Sequence, residues 1–276
     1  MKAYYDDDFG QIYNENCLDT MKRMPDNHID LTVTSPPYDN LRDYKGYEFH
    51  FRSTAKELYR VTKIGGVVVW VVGDTTINGS ETGTSFKQAL YFKECGFNLH
   101  DTMIYYRQSP YPSNDRYNQV FEYMFVLSKG KINTFNCKCK QKKSSKSFSE
   151  NVSSKTYRNK AGKTINPDNM AVKRLTLAQS NEMKTSDNIW YIPTGYMVGS
   201  NDAYSYQHPA TFPERLASDH IISWSNKNDL VYDPFCGSGT TTKMAKEHYR
   251  KYIGSEISAE YCDIIKKRMS QEVLAF

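Results

Sequence analysis

Short runs of β-forming residues alternate with helical stretches along most of this chain, and that alternation restricts its fold more than any other feature. Ile29-Asp30-Leu31-Thr32-Val33-Thr34, Val67 to Val72, Thr102 to Tyr106, Phe121 to Leu127, Leu230-Val231-Tyr232 and Tyr252 to Ile257 read as strands. Thr54 to Val61, Phe86 to Glu94, Pro213 to Trp224, Thr241 to His248 and Ala259 to Met269 carry helical patterning. Pro213 suits a first helical turn, and Gly65-Gly66 suits a helix stop before the next strand. Such alternation predicts an α/β fold, with a mostly parallel sheet and helices on both faces. Ligands of such sheets bind beyond the carboxyl ends of the strands, so the residues just after the strands are the expected place for chemistry. At 276 residues the chain has room for one large domain and a small insert.

Two strand ends stand out. Leu230-Val231-Tyr232 runs into Asp233-Pro234-Phe235-Cys236-Gly237-Ser238-Gly239-Thr240 and then a helix. Gly237 and Gly239 allow a tight turn and close approach of a ligand to backbone, and Asp233 is placed to hold a ligand ammonium. Glu256 closes the next strand, where it can accept both hydroxyls of a ribose. The dinucleotide pattern G-x-G-x-x-G is incomplete, because Thr242 takes its third glycine position, and no phosphate-binding loop precedes Gly162-Lys163-Thr164. A nucleoside with an amino-acid tail therefore fits better than a dinucleotide or ATP.

The other strand end is Thr34-Ser35-Pro36-Pro37-Tyr38. Two prolines stiffen the backbone and offer no N–H, so the Ser35 and Pro36 carbonyls are available as acceptors. An exocyclic amine on a flat base is a poor nucleophile, because its lone pair is delocalised into the ring. Accepting its two N–H bonds, through Ser35 Oγ and the Pro36 carbonyl, favours a pyramidal nitrogen with its lone pair directed at an electrophile. Tyr38 is placed to stack on the base.

Charge is unevenly spread. From Lys129 to Asp187 there are 14 Lys and Arg against Glu150, Asp168, Glu182 and Asp187, a formal +10. The whole chain carries +5, which leaves −5 on the rest. The basic segment is rich in Ser, Asn and Lys, so it reads either as a solvated insertion or as a surface ordered on contact with a polyanion. The longest apolar run, Val67 to Val72, is too short to span a bilayer, and Met1-Lys2-Ala3-Tyr4-Tyr5 lacks the apolar stretch of a signal peptide. Six scattered cysteines fit a reducing, cytoplasmic setting. Cys137-Lys138-Cys139 has no second pair at metal-site spacing, so no metal is expected.

Taken together, these motifs resemble the amino-group DNA methyltransferases that use S-adenosylmethionine. Ser35-Pro36-Pro37-Tyr38 is similar to their catalytic tetrapeptide, and Asp233 to Thr240 to their methionine-binding motif. The catalytic motif comes first, as in the permuted order of the β class. Asn16-Cys17-Leu18-Asp19-Thr20 resembles the stretch bordering the cofactor's adenine, and Glu57 to Gly66 the helix and turn before a sheet strand. Phe121 to Gly130 resembles the strand before the target-recognition insert, and His208-Pro209-Ala210-Thr211-Phe212-Pro213 the entry to the helix preceding the cofactor strand. The resemblance implies a Rossmann-like S-adenosylmethionine-dependent methyltransferase fold, split as a catalytic half over 1–128, a basic target-recognition insert over 129–187 and a cofactor-binding half over 188–276.

It further implies that Ser35, Pro36, Pro37 and Tyr38 are catalytic, and that Cys17, Asp19, His208, Asp233, Pro234, Phe235, Cys236, Gly237, Gly239, Thr240 and Glu256 bind the cofactor. Lys138, Lys140, Lys142, Lys143, Lys146, Lys155, Arg158, Lys160, Lys163, Lys173 and Arg174 would meet double-stranded DNA, whose target base must be flipped out of the stack. A serine at the first motif position resembles the N4-cytosine branch; adenine N6 is the alternative. C5-cytosine chemistry is rejected: Glu150-Asn151-Val152 matches its partner tripeptide in letters but lies in the basic insert, and Cys236 sits in the cofactor turn. The resemblance allows a homodimer and pairing with a restriction endonuclease. Two other classes fit part of the pattern, namely a catalytically silent DNA-binding protein and an RNA or protein methyltransferase.

Overall fold

The apolar runs become neighbouring strands of one nine-stranded sheet. The computed structural model describes residues 2–37, 49–107, 116–136, 139–141, 157–158, 164–165, 183–195, 197–200, 202–208 and 212–271. It divides into two compact units, Met1–Asn136 with Asn188–Phe276, and Cys137–Asp187.

The sheet of the larger unit contains β1 (Tyr5–Asp6), β2 (Gly10–Asn14), β3 (Ile29–Thr34), β4 (Thr62–Val72), β5 (Asn98–Tyr106), β6 (Phe121–Ser128), β7 (Ile189–Tyr191), β8 (Leu230–Asp233) and β9 (Lys251–Glu256). Their spatial order is β1-β2-β9-β8-β3-β4-β6-β5-β7. The pairs from β2 through β9, β8 and β3 to β4 are parallel, and so is β5 with β7. β6 runs antiparallel to both its neighbours, and β1 antiparallel to β2. Among the described residues, six helices flank the sheet: α1 (Cys17–Arg23), α2 (Phe51–Val61), α3 (Thr84–Glu94), α4 (Glu214–Trp224), α5 (Thr240–Glu247) and α6 (Ala259–Met269).

Strand alternation divides the core between the two faces. Leu31, Val33, Val67, Val69, Val71, Met124 and Val231 pack with Leu216, Ala217 and Ile221 of α4, Met244 and Ala245 of α5, and Ile265 of α6. On the other face Val68, Trp70, Val72, Phe125, Leu127 and Tyr232 pack with Met21 of α1, Ala55 and Leu58 of α2, and Ala89 and Phe92 of α3. A sheet covered on both faces explains why β4 reads as one continuous apolar run. Asp30 serves this framework: it accepts from Lys63 Nζ at 2.7 Å and from the Leu230 amide at 2.9 Å, fixing β3 against β8.

The expected helix stop at Gly65-Gly66 lies elsewhere. α2 ends at Val61, where the Thr62 amide and hydroxyl both donate to the Leu58 carbonyl, and β4 begins at once. Gly65 instead forms an irregularity inside β4. Its φ is +84°, and a Cβ there would lie 2.2 Å from the Asn133 side chain. The register of β3 and β4 shifts between Ile29 and Leu31, on the strand facing this kink. Lys129 to Asn136 fall in the larger unit: the Gly65 amide donates to Lys129 O, and the Asn136 amide to Ser223 O.

The smaller unit contains two short antiparallel pairs, Cys139–Gln141 with Met183–Thr185 and Tyr157–Arg158 with Thr164–Ile165. Lys140 and Arg158 are on these strands. Lys138, Lys142, Lys143, Lys146, Lys155, Lys160, Lys163, Lys173 and Arg174 lie outside the described residues.

Candidate active site

β3, β8 and β9 are adjacent and parallel, so their carboxyl ends deliver Thr34-Ser35, Asp233 and Glu256 to one edge of the sheet. Parallel pairing produces this convergence: residues nearly 200 positions apart in sequence share an edge because their strands point the same way. Thr34 Oγ1 donates to Asp233 Oδ1 at 2.7 Å in a buried contact. That bond joins the proline-containing peptide directly to the glycine turn.

The turn itself needs both glycines. Gly237 has φ +51° and Gly239 φ +80°, the left-handed region in which a side chain is strained. A Cβ on Gly239 would stand 3.0 Å from Ile265, and one on Gly237 would stand 3.1 Å from the His208 imidazole. Gly239 then precedes the first residue of α5, so the turn leads directly into the N-terminus of that helix. His208 is buried with its ring edge-on to Tyr261 at 4.4 Å, and so is brought to the turn from a distant part of the chain.

Two buried carboxyls border this turn. Asp233 Oδ1 accepts from the Phe235 amide at 3.0 Å as well as from Thr34, yet burial pushes its carboxyl up to about 6. Glu256 accepts from the Gly237 amide at 2.8 Å and from the Ser258 amide at 2.9 Å, and burial pushes it up to about 7. In each case loss of solvent outweighs the hydrogen bonds that favour the charged form. An incoming cation or pair of hydroxyls would tip both groups toward ionisation.

Other expected positions divide into two groups. Pro234 is buried in the turn, and Phe235 is partly buried against Phe49 at 5.2 Å and Trp70 at 6.3 Å. Thr240 opens α5 and is buried. Cys17 is buried at the start of α1, its carbonyl 3.5 Å from the Tyr232 hydroxyl. Two side chains turn away. Cys236 Sγ packs inward over Gly254, where an added Cβ would lie 2.3 Å from it, so only the backbone of Cys236 lines the turn. Its thiol is held well above the usual thiol range by burial, with no means of acting as a nucleophile. Asp19 stands on the exposed side of α1, 55% exposed, and pairs with Lys22 at 3.0 Å, so it is not brought to the other carboxyls. Local geometry explains this: Asn16 caps α1 by accepting from the Leu18 amide, which directs Asp19 outward one turn later.

Ser35 and Pro37 are partly buried and Pro36 is buried at the tip of β3. Tyr38 lies outside the described residues.

Sequence patterning did not single out three further groups. Thr34 and Thr241 belong with Asp233: Thr34 donates to it, and Thr241 Oγ1 donates to Val33 O at 3.1 Å beside it. Arg268 is fully buried and reaches the turn from α6, donating to Ser238 O at 2.6 Å and lying 3.2 Å from Thr240 Oγ1. A signal for Arg268 was available, since it lies three residues after Ile265 on a helical stripe otherwise made of Cys262, Ile265 and Met269. A charged residue on such a stripe must have buried partners.

The family model described as "DNA methylase" matches residues 29–267, from the first residue of β3 almost to the end of α6. The chain belongs to the N6/N4 DNA methylase family. Its relatives include the orphan methyltransferase M.BamHII of Bacillus amyloliquefaciens, 54% identical over 89% of this chain and 90% of that protein. The type II methyltransferase M.BglII of Bacillus subtilis is 26% identical over 95% of this chain and 69% of its own length. Among solved structures, the PvuII DNA methyltransferase (cytosine-N4-specific) superposes with a TM-score of 0.71 at 22% identity, covering 99% of this chain and 91% of that one. The M1.HpyAVI–SAM complex superposes with a TM-score of 0.60 at 20% identity, covering 94% and 99%. The fold of the described residues is thus that of a DNA methyltransferase. In this DNA methylase both distinctive motifs, Ser35-Pro36-Pro37 and Asp233 to Thr240, fall inside the matched span. Among the described residues no helix is long and apolar enough to cross a membrane.

Proposed function

We propose that this DNA methylase transfers a methyl group from S-adenosylmethionine to the exocyclic N4 amine of a flipped-out cytosine in double-stranded DNA. The observation that supports this reading is the Thr34–Asp233 hydrogen bond, which joins the peptide we assign to the amine to the turn we assign to the cofactor. The described residues suit S-adenosylmethionine chemically. A tight turn with two left-handed glycines lies beside buried Asp233 and Glu256, two carboxyls that match a ligand with an ammonium at one end and ribose hydroxyls near the other. When bound, it supplies a methyl group on a positively charged sulfur, which needs no activation by the protein.

The chain's own residues then have three tasks. Asp233 and Glu256 bind and orient, each gaining charge as it does so. Ser35 Oγ and the Pro36 carbonyl accept the two amine N–H bonds and turn the nitrogen lone pair out of conjugation. Tyr38 stacks on the flipped base, replacing part of the stacking lost from the duplex. No side chain need serve as a strong base, because a methylated aryl ammonium is acidic enough to pass its proton to solvent.

The choice of cytosine N4 rests on Ser35 in the first motif position. The likeness to the cytosine-N4-specific PvuII enzyme, at 22% identity, bears on the fold alone. Lys138, Lys140, Lys142, Lys143, Lys146, Lys155, Arg158, Lys160, Lys163, Lys173 and Arg174 are assigned to phosphate contacts with DNA, and Asn and Gln residues of the same segment to base edges. A modification role beside a restriction endonuclease accords with the relatives named type II methyltransferases, whereas the relative at 54% identity is named an orphan. A homodimer is the assembly we assign by resemblance to the β class. Nucleoside mass spectrometry of unmethylated DNA incubated with protein and cofactor tests the reading. N4-methylcytosine is the expected product; N6-methyladenine would move the target to adenine, and unmodified nucleosides would leave a silent DNA-binding protein.

A further inference from the structure

Behind the glycine turn lies a buried ionic cluster that the reaction outlined above does not use. At its centre Arg268, with a side chain 0% exposed, reaches partners in three directions. Nε donates to Asp202 Oδ2 at 2.9 Å, and Nη2 to Glu214 Oε1 at 2.7 Å. Nη1 faces the turn, 2.6 Å from Ser238 O, 3.2 Å from Ser238 Oγ and 3.2 Å from Thr240 Oγ1. The two carboxylates are fixed in their turn. Asp202 Oδ1 accepts from the Tyr204 amide at 3.0 Å, while Glu214 also receives Ser200 Oγ at 2.8 Å and Lys243 Nζ at 3.1 Å.

We propose that Arg268 is a positioning residue for the cofactor turn, locking the Ser238 peptide so that the turn is already formed when S-adenosylmethionine arrives. The inference rests on the cofactor reading given above. Glycines at 237 and 239 admit the ligand but also make rotation of the peptide between them cheap. Within the turn, the Gly239 amide is held by Cys236 O at 2.7 Å and the Gly237 amide by Glu256. The Ser238 carbonyl is held from outside, by a charge-assisted bond from a rigid planar fork whose other two edges are anchored. Orientation accounts for this arrangement better than stability does, because a buried ion pair recovers little more than its desolvation cost and an apolar side chain would fill the same space. Lysine lacks the fork and cannot serve Asp202, Glu214 and Ser238 together.

The experiment compares full-length wild type, Arg268→Lys and Arg268→Met in methyl-transfer assays with varied S-adenosylmethionine and DNA. We expect KM for S-adenosylmethionine to rise roughly tenfold in both variants, with kcat at saturating cofactor within about twofold and KM for DNA unchanged. A lowered melting temperature with an unchanged cofactor KM would make Arg268 a packing residue and overturn the proposal. Should the Arg268 variants fail to fold, Glu214→Gln decides. It keeps every residue of the turn and weakens the anchor at Arg268 Nη2, and is expected to raise the same KM about threefold; no rise overturns the proposal. Calorimetry on wild type separates the two readings: no binding of S-adenosylmethionine overturns the cofactor assignment itself, whereas binding that Arg268→Lys leaves unaltered overturns only the role of Arg268.

Discussion

Ser35 and its neighbour Thr34 divide the work at the tip of β3. Thr34 is committed to Asp233, and Ser35 is the residue proposed to accept the amine. Replacing Ser35 by alanine removes an acceptor needed when the nitrogen pyramidalises, so turnover should fall about 100-fold while cofactor affinity is retained. Single-turnover assays with calorimetry on the same variant check this, and unaltered turnover would exclude Ser35 from catalysis. The buried carboxyls make a pH prediction. Asp233 at about 6 and Glu256 at about 7 both lie above the usual carboxylate range. The folded protein therefore keeps protons that the unfolded chain releases, and stability of the free protein declines as pH rises from about 4 to about 7. Cofactor binding acts in the opposite sense, since an ammonium near Asp233 and hydroxyls near Glu256 favour the ionised forms. Affinity should increase with pH through this window and binding should release protons, measurable by titration calorimetry in buffers of different ionisation enthalpy. Constant affinity across the window would show that neither carboxyl titrates on binding.

At the level of strands and helices, the β8–turn–α5 unit depends on what lies beneath it. Gly254, in the middle of β9, leaves room for Cys236 Sγ, and an added Cβ would sit 2.3 Å from that sulfur and 2.8 Å from Ile12 Cδ1. Gly254→Ala should thus destabilise the protein by about 1–3 kcal/mol through overpacking, and combining it with Cys236→Ala should restore part of the loss. Denaturant titration of the single and double variants gives the comparison; equal midpoints for both would place the strain elsewhere. Long buried strands and amphipathic helices such as α6 were readable because apolar residues repeat at a fixed period. β1, β2 and β7 were not, because edge or near-edge strands of two to five residues carry too few apolar positions to show a period. Gly65-Gly66 misled for a different reason. Glycine signals backbone freedom, and a kink within a strand uses that freedom as readily as a helix end does. The buried ionic cluster stayed hidden because Asp202, Glu214, Lys243 and Arg268 become neighbours only once α4, α5 and α6 pack on one face.

For the molecule as a whole, the net charge conceals a basic segment of +10 joined to a body of −5. If those lysines neutralise phosphates, replacing Lys142, Lys143 and Lys146 by glutamine should lower the salt dependence of DNA affinity. The log–log slope should fall by about one unit for each phosphate left without its lysine, while KM for S-adenosylmethionine stays the same. Fluorescence anisotropy at several salt concentrations measures the slope, and an unchanged slope would assign these lysines to solvated surface. The strand-end motifs and the charge distribution are legible because each depends on residue type at a local position. Which side chains meet across the sheet is not, because it depends on the spatial order of strands.

The larger unit ends its first segment at Asn136 and resumes at Asn188, and both residues are tied down. Asn136 Nδ2 donates to Ile222 O and Ser225 O at 3.0 Å, and the Ile104 amide donates to Asn188 O at 2.9 Å. The chain therefore leaves and re-enters the body at two fixed docks that use side-chain amides and main-chain atoms of the larger unit. A sequence grafted between them from another methyltransferase would inherit its points of attachment; if the intervening stretch reads DNA as proposed, changes of target need only the exchange of a cassette, and the methyl-transfer machinery passes unaltered from one specificity to the next.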